Sequence, residues 1–196
     1  NLPGLTFKSA EKGSEVLWKL YEKFPRIQKE YENVKVLLLY TSDPHILYTK
    51  DKPVRSLEDL QNLKIRVTGG PPMQMAHELG ISATTIPMPD CYMALQQGTV
   101  DGMQGPWETV QVFRLYEVVD YYTDNVPFPA VYFSIAMNKE KWNSLPEDIQ
   151  EEIMSVSGLE GARFWGKHFF DEMYPVVMKT INEYGQNPEE HVIELS

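Results

Sequence analysis

Residues 63–104, LKIRVTGGPPMQMAHELGISATTIPMPDCYMALQQGTVDGMQ, decide the fold because strand and helix patterns alternate along them. Alternating apolar and polar side chains predict strands, and apolar side chains at helical spacing between glycine and proline breaks predict helices. The strands are predicted at residues 63–67, 83–86 and 100–104, and the helices at residues 73–79 and 90–97. This order indicates an α/β layer architecture with a largely parallel sheet.

The same alternation extends outward to both ends of the chain. A helix is predicted over residues 9–24, and strands are predicted at residues 34–41 and 131–137, while residues 46–49 indicate only a short extended segment. Apolar side chains at a spacing of three and four residues then predict one long helix over about residues 147–184, bent at its glycines and at Pro175. A helix of that length exceeds one small domain, so we expect it to span two lobes.

Composition excludes several classes of protein. The chain has 196 residues, of which 42% are hydrophobic and 23% charged, and its net charge is −10. These values are typical of a globular protein, and the absence of a basic stripe argues against nucleic acid as a partner. The longest apolar run, residues 36–40, is far shorter than a membrane-spanning helix requires. The single cysteine, Cys91, does not decide the cellular compartment.

A search for catalytic groups finds no credible set. Cys91 has no histidine near it in sequence, Ser134 lacks the glycine elbow of a hydrolase, and the four histidines are dispersed. No spacing predicts a metal site or a cofactor site, and residues 69–72 lack the lysine of a phosphate-binding loop. An α/β enzyme that uses Asp90 or Asp101 as its acid and base stays open as an alternative.

Arg66 is the candidate ligand-binding residue. It ends a predicted strand between Ile65 and Val67, and ligand crevices of open α/β sheets lie at such strand ends. A guanidinium group there can donate two hydrogen bonds to a carboxylate, although a surface ion pair explains the residue equally well. The strand end at residues 101–107 faces the same way in a parallel sheet and could add the Gln104 amide and the Trp107 ring, although Trp107 alone is better explained as core.

Three stretches of the chain resemble the core signature of the TRAP transporter solute-binding proteins of the DctP type. They are LKIRV at residues 63–67, PMP at residues 87–89 and YMALQQGTVDG at residues 92–102, with supporting similarity at residues 52–60 and 137–148. The resemblance implies a periplasmic receptor whose two lobes close over a small organic acid. It also implies delivery of that acid to a membrane permease, and it assigns the carboxylate clamp to Arg66.

Departures from the family pattern narrow the expected ligand. Gly105 replaces an asparagine of the sugar-acid binders, Ile46 aligns with their second arginine, and Pro89 stands where an aromatic residue often follows. The Glu-Trp pair of the metal-assisted binders is absent. We therefore expect a ligand with one carboxylate and an apolar or aromatic body. The expected ligand-binding residues are Arg66, Met88, Pro89, Met103, Gln104, Gly105, Trp107 and Tyr132.

The resemblance also sets expectations for the whole chain. The expected fold is periplasmic-binding-protein-like, with residues 1–44 and 131–170 in lobe I and residues 45–130 and 171–196 in lobe II. Because the match starts inside the family pattern, we expect an N-terminally truncated chain without its signal peptide, with an incomplete first lobe and possible self-association. A sensor or orphan receptor that signals rather than delivers is a further alternative.

Overall fold

The computed structural model describes residues 7–195, which form two compact units. The large unit contains residues 44–129 and 173–195, and the small unit contains residues 7–43 and 130–172. No helix among the described residues is long and apolar enough to cross a membrane. The assignment of these units to the two lobes of a receptor stays a prediction.

The large unit is built on a six-stranded sheet. Its strands are β2 (Ile46–Thr49), β3 (Lys64–Arg66), β4 (Ser82–Thr84), β5 (Gly102–Gly105), β6 (Tyr121–Asp124) and β8 (Val192–Glu194). Its α-helices are α3 (Pro71–Glu78), α4 (Cys91–Gln96), α5 (Trp107–Val112), α9 (Met173–Glu183) and α10 (Pro188–His191). Short 3-10 helices occupy Glu58–Leu60, Met88–Asp90 and Leu115–Glu117.

The strand order β4-β3-β5-β2-β6-β8 corrects the expectation of a largely parallel sheet. Strand β3 pairs in parallel with both β4 and β5, and β6 pairs in parallel with β8. Strand β2, however, runs antiparallel to both of its neighbours, β5 and β6. All four residues of β2 are buried, which agrees with its largely apolar sequence. Such a sequence does not indicate the direction in which the strand runs.

The small unit packs helices against a two-stranded sheet. Its strands are β1 (Val34–Thr41) and β7 (Tyr132–Asn138), which pair antiparallel with a register shift between Val36 and Leu38. Its α-helices are α1 (Ala10–Lys23), α2 (Pro25–Glu30), α6 (Lys139–Asn143), α7 (Glu147–Ser155) and α8 (Gly158–Trp165), and a π-helix follows at Gly166–Asp171. Its core gathers Trp18, Val36, Leu38, Leu39 and Ala162.

The single long helix predicted over residues 147–184 is wrong. The chain forms α7, α8, the π-helix and α9 in succession, with α7 ending at Ser155. Gly158 has a φ of 66°, a left-handed conformation that stops α7 from continuing into α8. Pro175 lies in the first turn of α9, just after the turn at Glu172, and a missing backbone N–H is tolerated at that position.

Candidate functional site

The carboxyl edge of the large unit's sheet brings together polar side chains from three strands. Parallel strands β3 and β5 end at this edge with Arg66 opposite Met103, followed by Gln104. Because β2 is antiparallel, its first residue, Ile46, pairs with Gly105, so His45 lies at the same edge. The reversal of β2 therefore adds a histidine that a fully parallel sheet would have placed at the opposite edge.

The Arg66 side chain is half-buried and held by a backbone carbonyl. Strand alternation buries Ile65 and Val67 on one face and leaves Arg66 on the other. Its Nε donates a hydrogen bond of 2.9 Å to the carbonyl oxygen of Ile86. Within residues 7–195, no carboxylate forms an ion pair with the guanidinium group, and the group donates no other hydrogen bond. The two terminal amino groups, which carry most of its donors, thus have no described protein acceptor.

Gln104 is fully buried and holds two neighbouring segments. Its Oε1 accepts a hydrogen bond of 3.2 Å from the backbone N–H of Thr68, just beyond β3. Its Nε2 contacts Nδ1 of His45. Both ends of the amide therefore have partners within the protein, which ties the end of β3 to the start of β2.

His45 is buried beside this amide and is uncharged at neutral pH. Burial, and secondly the positive charge of Arg66, lower the pKa of His45 to about 3, although the hydrogen bond with Gln104 acts in the opposite direction. A neutral ring can accept at Nδ1 from the Gln104 amide and then carries its proton on Nε2. Sequence reasoning missed this residue because its partner Gln104 is 59 positions away, and only the strand order brings the two together.

Three of the expected ligand-binding residues lie in the core of the large unit. Met103 is fully buried, and Trp107 is 5% exposed. The Trp107 ring stacks on Tyr122 with centroids 5.9 Å apart and meets Tyr174 edge-on at 5.2 Å. A Cβ at Gly105 would lie 2.3 Å from the hydroxyl of Tyr48, so the glycine makes room for that ring. Their expected contact with ligand stays a prediction.

The other expected residues lie on more accessible surface. Met88 is half-buried and Pro89 exposed in the 3-10 helix that follows Ile86, the carbonyl partner of Arg66. Tyr132 belongs to the small unit, where it begins β7 and is 59% exposed.

The signature YMALQQGTVDG builds the scaffold behind Arg66. Gly98 has a φ of 70° and lies just after α4, where it turns the chain towards β5. The Oδ2 atom of Asp101 accepts a hydrogen bond of 2.8 Å from the backbone N–H of Lys64, which joins β5 to β3. A Cβ at Gly102 would lie 2.3 Å from the carbonyl oxygen of Tyr48, so this position requires a residue without a side chain. The hydrogen bond from Lys64 therefore gives the Asp101 carboxylate a structural role in joining β5 to β3.

Two further features bear on the chemistry of the chain. Burial raises the pKa of the Cys91 thiol, whose sulfur faces the carbonyl oxygens of Ile86 and Pro87, as expected for a small buried side chain. Among the residues described, no group of three or more histidine, cysteine or acidic side chains could hold a metal ion. A cavity of about 620 Å³ in the small unit is lined by Arg163, His168 and their neighbours, and includes none of the expected ligand-binding residues.

Curated relatives of the chain include a transporter protein and a periplasmic binding protein. The chain is 28% identical over 154 residues to the outer membrane transporter protein TsaT of Comamonas testosteroni, covering 76% of this chain and 45% of that protein. It is 29% identical over 140 residues to the ectoine-binding periplasmic protein TeaA of Halomonas elongata, covering 69% of this chain and 39% of that protein. The chain thus spans less than half the length of these two relatives.

Solved structures of TRAP solute-binding proteins match the chain over its length. A marine metagenome protein specific for aromatic acid ligands, in complex with 3-hydroxybenzoate, has a TM-score of 0.88 at 27% identity, covering 100% of this chain and 59% of that one. A protein from Rhodoferax ferrireducens with copurified benzoate has a TM-score of 0.85 at 26% identity, covering 99% of this chain and 59% of that one. These matches confirm the predicted α/β fold of the periplasmic-binding-protein type.

The family model decides the assignment. The model of the bacterial extracellular solute-binding proteins, family 7, named DctP, matches residues 6–163. That range contains the strand with Arg66 and the whole signature. The predicted resemblance is confirmed: the chain belongs to the DctP family of bacterial extracellular solute-binding proteins.

Proposed function

We propose that this chain belongs to the extracytoplasmic receptor of a TRAP transporter and binds a small organic acid through Arg66. One observation carries the proposal: a half-buried arginine lies at the carboxyl edge of a sheet with no carboxylate partner in the described structure. Because no protein carboxylate neutralises this group, its free N–H donors are available to the carboxylate of a ligand.

The hydrogen bond to Ile86 prepares Arg66 for such a ligand. Because Nε is anchored to a carbonyl oxygen, the plane of the guanidinium group is fixed before the ligand arrives. The remaining N–H groups can then grip a carboxylate with little further loss of side-chain freedom. Neutral His45, behind Gln104, adds no second positive charge to this edge. A single carboxylate therefore suits the site better than two.

We infer that the body of the ligand is apolar or aromatic. Relatives of similar fold were solved with benzoate, with 3-hydroxybenzoate and with mandelate, each an aromatic ring with one carboxylate. The apolar side chain of Met88 and the ring of Pro89 follow Ile86, next to the Arg66 anchor, and supply surface for such a ring. The expected ligand class is therefore the aromatic monocarboxylates.

Calorimetric titration with benzoate and with benzamide tests the role of Arg66. Benzamide has the same ring and shape without the charge, so we expect it not to bind. Replacing Arg66 by alanine should weaken benzoate binding roughly 10- to 150-fold, the loss expected for hydrogen bonds between charged groups. Lys64→Ala, an exposed cation on the same strand, is the matched control and should leave affinity unchanged. Unaltered benzoate affinity in the Arg66→Ala variant would contradict the proposal.

Delivery and location are separate parts of the proposal. As a receptor subunit, the protein resides in the periplasm and docks onto membrane permease subunits, which a co-purification from membranes tests. A receptor releases its ligand unchanged, whereas an enzyme using Asp101 or Asp90 would convert it. The binding function requires that benzoate be recovered intact after prolonged incubation, and a stoichiometric product would favour the enzyme.

A further inference from the structure

The end of strand β3 is held on both sides just beyond Arg66. Strand β3 pairs with β5 as far as Arg66. The next backbone N–H, that of Val67, donates a hydrogen bond of 2.9 Å to the carbonyl oxygen of Thr84, at the end of β4. On the β5 side, the backbone N–H of Thr68 donates to Oε1 of Gln104 at 3.2 Å, so a side-chain oxygen extends the pairing by one hydrogen bond. The position of this strand end therefore depends on the Gln104 amide.

Only one orientation of this amide suits both of its neighbours. Its oxygen faces the N–H of Thr68, so its NH2 group faces Nδ1 of His45, which must then be an acceptor. The His45 ring is buried and neutral, because burial first and the charge of Arg66 second lower its pKa to about 3. A protonated ring would favour the reversed amide, whose NH2 group opposes the N–H of Thr68. Neutral His45 therefore fixes the orientation of Gln104.

The amide lies on the face of the sheet opposite the Arg66 side chain. Arg66 pairs with Met103, and successive residues of a strand point to opposite faces, so Gln104 points away from the guanidinium group. Gln104 is fully buried and His45 nearly so. Because neither side chain is charged or exposed, the pair can influence a bound carboxylate only through the strand end that it holds.

We propose that His45 is a positioning residue for Arg66: through the Gln104 amide and the Thr68 N–H, it fixes the strand end from which the guanidinium group reaches the ligand. This role rests on the proposed function, in which Arg66 binds the carboxylate. A guanidinium group is a rigid planar fork, so a change in the direction of its strand misaligns its N–H groups with the two carboxylate oxygens. The affinity thus depends on a side chain that the ligand does not touch.

Two substitutions of His45 separate this role from simple packing. His45→Leu removes the acceptor, whereas His45→Asn keeps one, because Oδ1 of asparagine lies the same number of bonds from Cβ as Nδ1 of histidine. In calorimetric titrations we expect His45→Leu to weaken benzoate binding about 3- to 10-fold, the effect of one hydrogen bond. His45→Asn should stay within about twofold of the native affinity. Thr123→Val is the matched control, because it removes a buried hydrogen bond of 3.0 Å to the Val54 carbonyl oxygen from another strand of the same sheet, and it should leave the affinity unchanged.

Exchange of the Arg66 Nε proton with solvent measures the position of the side chain without any ligand. This N–H donates to the Ile86 carbonyl oxygen at 2.9 Å, and nuclear magnetic resonance follows it directly. We expect its exchange to be as slow in His45→Asn and Thr123→Val as in the native chain, and about 3- to 10-fold faster in His45→Leu. A native chain that does not bind benzoate would contradict the proposed function, while this exchange still decides the role of His45.

Three results would overturn the positioning role. The first is exchange of the Arg66 Nε proton in His45→Leu that is as slow as in the native chain, whether or not benzoate binds. The second is a loss in His45→Leu that His45→Asn does not restore. The third is an equal loss in Thr123→Val, because the general weakening of a buried sheet would then explain the effect.

Discussion

Gly102 ends the family signature at a position where the fold leaves no room for a side chain. A Cβ there would lie 2.3 Å from the Tyr48 carbonyl oxygen and 2.9 Å from Thr49 Cγ2, and the first of these is backbone that cannot rotate away. We expect Gly102→Ala to destabilise the protein by about 1–3 kcal/mol, the usual cost of overpacking. Urea unfolding measures this cost.

The control for Gly102 is another glycine with space around it. A Cβ at Gly69 would meet only Thr85 Cγ2 at 3.9 Å, so Gly69→Ala should change the free energy of unfolding by less than about 0.5 kcal/mol. Equal effects of the two substitutions would show that the close approach of β5 to β2 has no energetic importance.

His45 gives the protein a specific dependence on pH. The pKa of His45 is about 3 in the folded protein, against 6.5 for an ordinary histidine. Between these values the unfolded chain binds a proton that the folded protein does not, so the free energy of unfolding falls as pH falls, by about 1.4 kcal/mol per pH unit. We expect His45→Gln to remove this part of the slope in urea titrations at decreasing pH. The same substitution at exposed His77 should retain it, and an identical slope in both variants would contradict the buried neutral state.

At the scale of elements, the π-helix fixes the start of α1. Asp171 Oδ1 and Oδ2 accept hydrogen bonds of 2.7 Å and 2.9 Å from the backbone N–H groups of Ala10 and Glu11. Burial raises the pKa of Asp171, and these two bonds act against that rise. Asp171 therefore satisfies two of the N–H groups that every helix start leaves open.

Removing this cap should destabilise the small unit. We expect Asp171→Ala to lower the free energy of unfolding by about 1–2 kcal/mol, the range for a lost helix cap. Glu172→Ala is the matched control, because Glu172 pairs only with exposed His168 at 2.8 Å and such pairs contribute little. Differential scanning calorimetry compares the two variants, and a larger loss for Glu172→Ala would refute the capping role.

The elements predicted correctly are those whose sequence signals lie within a few residues of one another. Strand β3, helix α4 and the strand end at Gln104 follow from periodicity, glycines and caps within a few residues of each other. The direction of β2 and the contact of His45 with Gln104 depend on pairing across 59 positions, which no local pattern encodes. The break at Gly158 was predicted only as a bend, because a glycine in a helical pattern does not reveal its φ.

At the scale of the whole molecule, the net charge of the chain is negative, whereas Arg66 at the candidate site is positive. The chain carries −10, and the large unit that holds Arg66 has 7 basic and 14 acidic residues. An organic anion is therefore repelled at long range and attracted only near the guanidinium group. Salt screens exposed charges beyond about 10 Å at 0.1 M, but it screens a half-buried contact much less.

Under the proposed function, benzoate binding should therefore respond weakly to salt. Between about 0.02 M and about 0.3 M NaCl we expect the affinity to change by less than about threefold, while the association rate rises as the repulsion is screened. Stopped-flow and calorimetric titrations measure the two quantities. A receptor that captured anions with a basic surface would instead show an association rate that falls as salt is added. If the affinity of this protein for benzoate fell by more than about tenfold, long-range attraction, rather than Arg66 at close range, would hold the ligand.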